Sequence, residues 1–211
     1  MSRIHIVSFS DREELHRYTW PRLRAYAEKH GYATSLFTQS DQKERHPSWN
    51  KILTLLNVLK STEAEYIVWM DDDILITKPE KSLVSFINEF GFAESEAIVM
   101  MCEDVPGELS TLMNAGVGIF KRGDATEKML QTIWWLGSQM PLQLKGFSYE
   151  QEVFNWYYKF ARRSDIKLIP HGTMQSIARP GGVWKSGDFA AHVTAGEVPL
   201  RVEILQRLLR E

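Results

Sequence analysis

The chain has 211 residues, 44% hydrophobic and 25% charged, which suits one globular domain able to bury a sizeable core. Its formal net charge of −2 argues against nucleic acid as the main partner, because phosphate contacts call for a basic face. Cys102 is the only cysteine, so folding relies on no internal disulfide, and a lone thiol fits a reducing compartment.

In chain order, "RIHIVSF" reads as a first strand. "SDREELHRY" follows as a helix, with Ser10 and Glu13 at capping-box spacing. Pro21 is expected to kink or restart that helix, and Gly31 to cap its end. "ATSLFT" is a second strand, and "SWNKILTLLNVLK" a helix with Trp49, Ile52, Leu53, Leu56 and Leu59 on one face. "YIVWM" is apolar at every position, as a central strand covered on both faces would be. Further strands are expected at "AIVMM", "GVGIF", "IKLI" and near "FAAHV". Helices are expected from Lys81 to Phe90, from Asp124 to about Leu136, from about Glu150 to Phe160, and at the C-terminus.

This alternation predicts a single α/β domain over residues 1–211, with a mostly parallel central sheet flanked by helices. "ARPGGVWKSGD", residues 178 to 188, reads as a mobile loop. The helical pattern runs to the end, which leaves room for a longer parent chain. No apolar run approaches the roughly 20 residues of a membrane span, and the apolar core of "MSRIHIVSFS" is short for a signal peptide. The expected location is therefore cytoplasmic.

The unusual segment is "EYIVWMDDDILITKP", where three acids follow a buried strand. In an open α/β sheet, ligands bind beyond the carboxyl ends of the strands. Alternation along an extended chain sends Asp71 and Asp73 to one side and Asp72 to the other. Adjacent carboxylates raise one another's pKa unless a cation lies between them, and a hard divalent ion supplies that compensation through oxygen ligation. The alternative is a solvated turn, which the flanking "VWM" and "ILI" disfavour.

"YIVWMDDDILI" resembles the D-x-D strand of metal-dependent, nucleotide-sugar glycosyltransferases with the GT-A fold, above all family 34 and next family 8. "YAEKHGYATSLF", "SWNKILTLLNVL", "MNAGVGIFKR", "EQEVFN" and "GDFAAHVTAG" are similar to further segments of these families, in the same order. The resemblance implies a GT-A-like domain with a nucleotide-sugar crevice, and transfer of a sugar from a UDP-linked donor to a glycan or glycoprotein acceptor. It assigns Asp73 and His192 as metal ligands, with Asp71 ligating the metal or holding the ribose. Such a site suits Mn²⁺ or Mg²⁺. For His192 the competing reading is a satisfied core histidine.

Donor contacts are expected from the end of the first strand, Ser8, Ser10 and Asp11, although Ser10 serves equally well as a helix cap. Asp72, the spacer, stands beside them. Lys51 reaches toward phosphate or snorkels to solvent. Asn114 offers a polar group to the sugar, while Gly116 and Gly118 fit a strand bulge as well as open backbone. The resemblance puts Gln151 nearest the anomeric carbon. Glu150, Glu152 and Asp188 are candidates for the general base of an inverting reaction, or Glu150 and Glu152 are simply helix-start residues. Retention, the course of families 34 and 8, needs no such base.

Trp134, Trp135 and Trp156 read as core residues, and Trp184 as part of a substrate lid. The lysine that follows the histidine motif in family 8 is missing from "HVTAGEVPLR", so Lys185 or Arg179 is expected to replace it. Two other readings stand: a catalytically silent sugar-binding domain, and a D-x-D phosphatase. The second is disfavoured because "DDDIL" follows the third strand and no later Asp-Asp pair exists.

Overall fold

The computed structural model describes residues 2–40, 42–105, 112–139, 149–194 and 196–210. Six strands form the central sheet: β1 (Ile4–Phe9), β2 (Ala33–Phe37), β3 (Tyr66–Met70), β5 (Val99–Glu103), β6 (Met113–Lys121) and β7 (Ile166–Ile169). Their order is β2-β1-β3-β6-β5-β7, mostly parallel, with β6 running against both of its neighbours. A second, three-stranded sheet joins β4 (Ile74–Ile76), β9 (Ala190–His192) and β8 (Ser176–Ile177), in the order β4-β9-β8.

Helices cover the central sheet on both sides, which explains why every residue of "YIVWM" is apolar and buried. On one face Ile4, Ile6, Val68 and Met70 pack against α1 (Glu13–His30) and α3 (Leu83–Glu89). On the other, Val7, Ile67 and Trp69 pack against α2 (Asn50–Ser61), α4 (Asp124–Gln139) and α5 (Glu150–Phe160). The last helix, α6 (Val198–Leu208), lies with Leu15 of α1 against the outer face of the small sheet. No helix among the described residues is long and apolar enough to cross a membrane.

Several local expectations change. α1 runs unbroken through Pro21, ends at Gly31 with φ 69°, and begins at Glu13 without a side-chain cap. Ser10 is drawn away from capping by a carboxylate described below. The buried face of α2 includes Lys51, Thr54 and Leu55, while Leu53 and Leu56 are only half-buried. Trp135 is 59% exposed and Trp156 38%, so neither is a core residue, whereas Trp134 packs edge-on against Trp49. The "ILI" after the acids is extended as β4, but it pairs with β9 in a separate small sheet that the sequence pattern did not indicate.

Trp49 fixes the start of α2 through a close approach to α4. A Cβ built on Gly137 meets the Trp49 ring at 2.0 Å, and that ring is held between Trp134 and the Arg45 guanidinium. Gly137→Ala gains helix propensity but overpacks this contact. The expected outcome is a net loss of about 1 kcal/mol in chemical unfolding, from an overpacking penalty of about 1–3 kcal/mol.

Candidate active site

The three acids occupy a turn between β3 and β4. Asp71 N–H donates to Gly116 O at 2.9 Å, and Ile74 N–H donates back to Asp71 O at 3.1 Å. The turn, rather than an extended alternation, separates Asp72 from its neighbours.

Asp72 faces the β1–α1 connection. It accepts from Ser10 Oγ at 2.6 Å and from Arg12 Nε at 3.0 Å, and a second Arg12 nitrogen completes a fork. Thr19 Oγ also donates to its carbonyl at 2.7 Å. Burial, with the Asp73 carboxylate beside it, pushes Asp72 up to about 6 against the pull of Arg12.

Asp71 and Asp73 converge on His192, which β9 places directly opposite Ile74. His192 Nε2 lies 3.3 Å from Asp73 Oδ1 and 3.9 Å from Asp71 Oδ2. Ligand atoms of the three residues all lie within 4.8 Å of one another. The other Asp73 oxygen accepts from Arg201 of α6 at 2.7 Å, with Arg12 at 3.9 Å. Burial alone would raise the Asp73 pKa, but His192, Arg12 and Arg201 hold it down to about 2. Burial likewise disfavours protonated His192, and the two aspartates more than offset it. Gly116 allows this approach: a Cβ there would stand 2.5 Å from both the His192 ring and Gln175 Oε1.

The donor set fits a divalent cation on an independent count. Asp73 Oδ1 is buried and makes no well-aligned hydrogen bond, with His192 Nε2 at 3.3 Å beside it. Two carboxylates and an imidazole are hard-to-borderline ligands of the kind Mn²⁺ and Mg²⁺ accept.

Lys51 lies beneath the acids and does not snorkel. At 3% exposure, its ammonium pairs with Glu150 and with Asp71 Oδ1 at 3.2 Å, and donates to Ala115 O at 2.8 Å. Burial alone would depress its pKa, yet Asp71 and Glu150 raise it. Asp71 is further oriented by Trp69 Nε1 at 2.5 Å. Beside them, Gln151 Oε1 accepts from Ala115 N–H at 2.9 Å, and its amide nitrogen reaches Asp104 at 3.4 Å. Asn114 Nδ2 donates to the same Asp104 at 3.2 Å, and its Oδ1 accepts from Gly116 N–H. Opposite this stretch the β5–β6 register shifts between Met101 and Cys102, which puts Gly116 in a bulge while Gly118 stays paired with Met101.

A cavity of about 370 Å³ opens beside Lys51 and Asp71, lined also by Phe9, Asp11, Arg12, His46, Trp69 and Asp72. Asp11 is on its wall, whereas Ser8 is buried on the other face of β1, so Phe9 lines the cavity in its place. Glu152 is half-buried, and no described contact ties its carboxylate to the cluster.

Asp188 and Lys185 are not brought to the acids. Asp188 accepts from Lys185 N–H at 3.0 Å, and its carbonyl accepts from Thr77 Oγ, past the far end of β4 from His192. Trp184 of the same loop packs on the cluster that includes α6 and lines a separate cavity with Leu208 and Leu209. Lys185 and Trp184 therefore border another surface, away from the acidic turn. Arg12, Asp104, Gln175 and Arg201 were missed from sequence. Only Arg12 carried a signal, its place at the end of the first strand.

Residues 10–91 match the profile of the galactosyl transferase GMA12/MNN10 family, glycosyltransferase family 34. A comparison with curated proteins gives no match. Among solved structures, the fold matches a glycosyltransferase involved in glycosylation of the major capsid of PBCV-1, with TM-score 0.80 and 18% identity over 97% of this chain and 98% of that one. The galactosyltransferase LgtC, in complex with donor and acceptor sugar analogs, matches with TM-score 0.60 and 10% identity over 98% and 94%. GlyE of Streptococcus pneumoniae TIGR4 matches at 0.52 and 10% identity, with 80% of this chain covering 45% of that one. These likenesses define a GT-A fold. Taken with the profile match over residues 10–91, they make the chain similar to the glycosyltransferases of family 34.

The buried Lys51 ammonium compensates two carboxylates, and its removal tests that directly. Lys51→Met leaves Glu150 buried without a counter-charge and is expected to lower unfolding stability by about 3–5 kcal/mol in urea. The double variant Lys51→Met/Glu150→Gln is expected to recover part of that loss, Asp71 still lacking its counter-charge.

Proposed function

We propose that the chain is a cation-dependent transferase that moves a sugar from a UDP-linked donor to a glycan or glycoprotein acceptor. The observation that carries this reading is the convergence of Asp71, Asp73 and His192 ligand atoms within 4.8 Å, on a turn where Asp73 and His192 are buried. Uridine rests on the likeness of the sequence to families 34 and 8.

Asp71, Asp73 and His192 would hold Mn²⁺ or Mg²⁺, which supplies Lewis-acid neutralisation of the charge that grows on a departing diphosphate, worth several kcal/mol. Lys51 and Trp69 hold Asp71 Oδ1, leaving Oδ2 turned toward His192. The fork from Arg12 ties the end of β1, a wall of the cavity, to the acidic turn. Gln151 and Asn114, cross-linked through Asp104, form a rigid amide floor where a sugar would lie. Glu150 is committed to Lys51, Asp188 to its own loop, and no described contact ties the half-buried Glu152 to the acidic turn. A retaining course, which needs no general base, therefore fits the described residues better than an inverting one.

Calorimetry of UDP with and without Mn²⁺ tests the reading. Binding is expected to depend on the metal, to be lost on chelation, and to fall at least about 100-fold, or 2.7 kcal/mol, in Asp73→Ala and His192→Ala. UDP binding of equal strength after chelation refutes cation dependence. A silent binding domain would show the same binding but no metal-dependent donor hydrolysis.

A further inference from the structure

Asp73 is crowded with positive charge before any ligand arrives. His192 lies on one oxygen, and Arg201 and Arg12 on the other, all within 3.9 Å. Arg12 is anchored elsewhere by its fork to Asp72. Arg201 is held differently. It stands in the first turn of α6, its side chain is 19% exposed, and it meets Asp73 through one terminal nitrogen while Nε reaches Gly196 O at 3.3 Å. The packing of α6 runs through Ile204, Leu205 and Leu208, on other positions of the helix.

A divalent ion and a guanidinium on one buried carboxylate repel at the effective dielectric of the protein. A diphosphate resolves that conflict, because its oxygens match the planar fork of an arginine. We propose that Arg201 is a further donor-binding residue, parked on Asp73 in the free enzyme and transferred to the diphosphate when Asp73 ligates the cation. The inference rests on the cation-dependent reading above. It adds a coupling: Arg201 opposes the cation alone and favours the cation with the nucleotide. Cation and UDP then promote one another's binding by more than their direct contact provides.

The test measures Mn²⁺ binding by electron paramagnetic resonance and UDP binding by calorimetry, each with and without the other, in wild type, Arg201→Ala and Arg201→Lys. Wild type is expected to show coupling on the order of 10- to 100-fold. Arg201→Ala is expected to bind Mn²⁺ alone about threefold tighter or more, and UDP with Mn²⁺ more weakly, so that coupling drops about tenfold, equivalent to 1.4 kcal/mol. Arg201→Lys keeps part of the coupling through its ammonium. Thermal unfolding verifies folding, and Arg201→Gln carries the same prediction should the alanine variant unfold. Weaker binding of Mn²⁺ alone in Arg201→Ala overturns the proposal, since Arg201 would then support the cation site. Unchanged coupling in a wild-type background that does couple overturns it as well. If wild-type protein shows no Mn²⁺-dependent UDP binding, the cation-dependent reading itself fails, and the two failures are thereby told apart.

Discussion

Three consecutive aspartates persist at the edge of this sheet because each is answered by a cation from a different part of the chain. Lys51 of α2 answers Asp71, Arg12 before α1 answers Asp72, and His192 of β9 with Arg201 of α6 answers Asp73. Isolated charges in such surroundings would be neutralised by protonation or would destabilise the fold by several kcal/mol. Paired, they weld four elements to one short turn. The site and the fold thus share the same contacts, and the charge that serves chemistry also holds α1, α2 and α6 in register with the sheet.

Backbone pairing supplies what the charges cannot, namely aim. His192 faces the acids because β4 and β9 pair with Ile74 opposite His192 and Val193 N–H bonds Asp73 O at 3.0 Å. A slip of one residue in that pairing would turn the imidazole to the opposite face. Gly116 removes the side chain that would occupy the space of the ring, and its carbonyl fixes Asp71. Beside the acidic turn, the antiparallel course of β6 brings Asn114 and the N–H of Ala115 to the start of α5, where Gln151 locks onto them.

Much of this was legible in the chain because the physics behind it is local or periodic. The all-apolar "YIVWM" announced a doubly covered strand, and acids at its carboxyl end announced a ligand crevice. What escaped was decided by tertiary partners. Ser10 has capping spacing, yet the Asp72 carboxylate outcompetes the helix N-terminus for its hydroxyl. Lys51 has the look of a solvent lysine on a helix, and only the joint presence of Glu150 and Asp71 makes its burial favourable. Arg201 lies on a helix with no motif of its own. Asp188 and Lys185 share a polar, glycine-rich loop that resembles a lid in composition, but hydrogen bonds to each other and to Thr77 keep it on another surface.

The separation of 128 residues between Asp73 and Arg201 has a consequence for biosynthesis. A ribosome delivers the aspartates, and the strands that flank them, long before it delivers the imidazole and the guanidinium that balance Asp73. Until then the emerging chain has Arg12 and Lys51 alone to set against three acids. The nascent sheet edge is thus an open, anionic surface, and the small sheet locks only when the final strand and helix arrive.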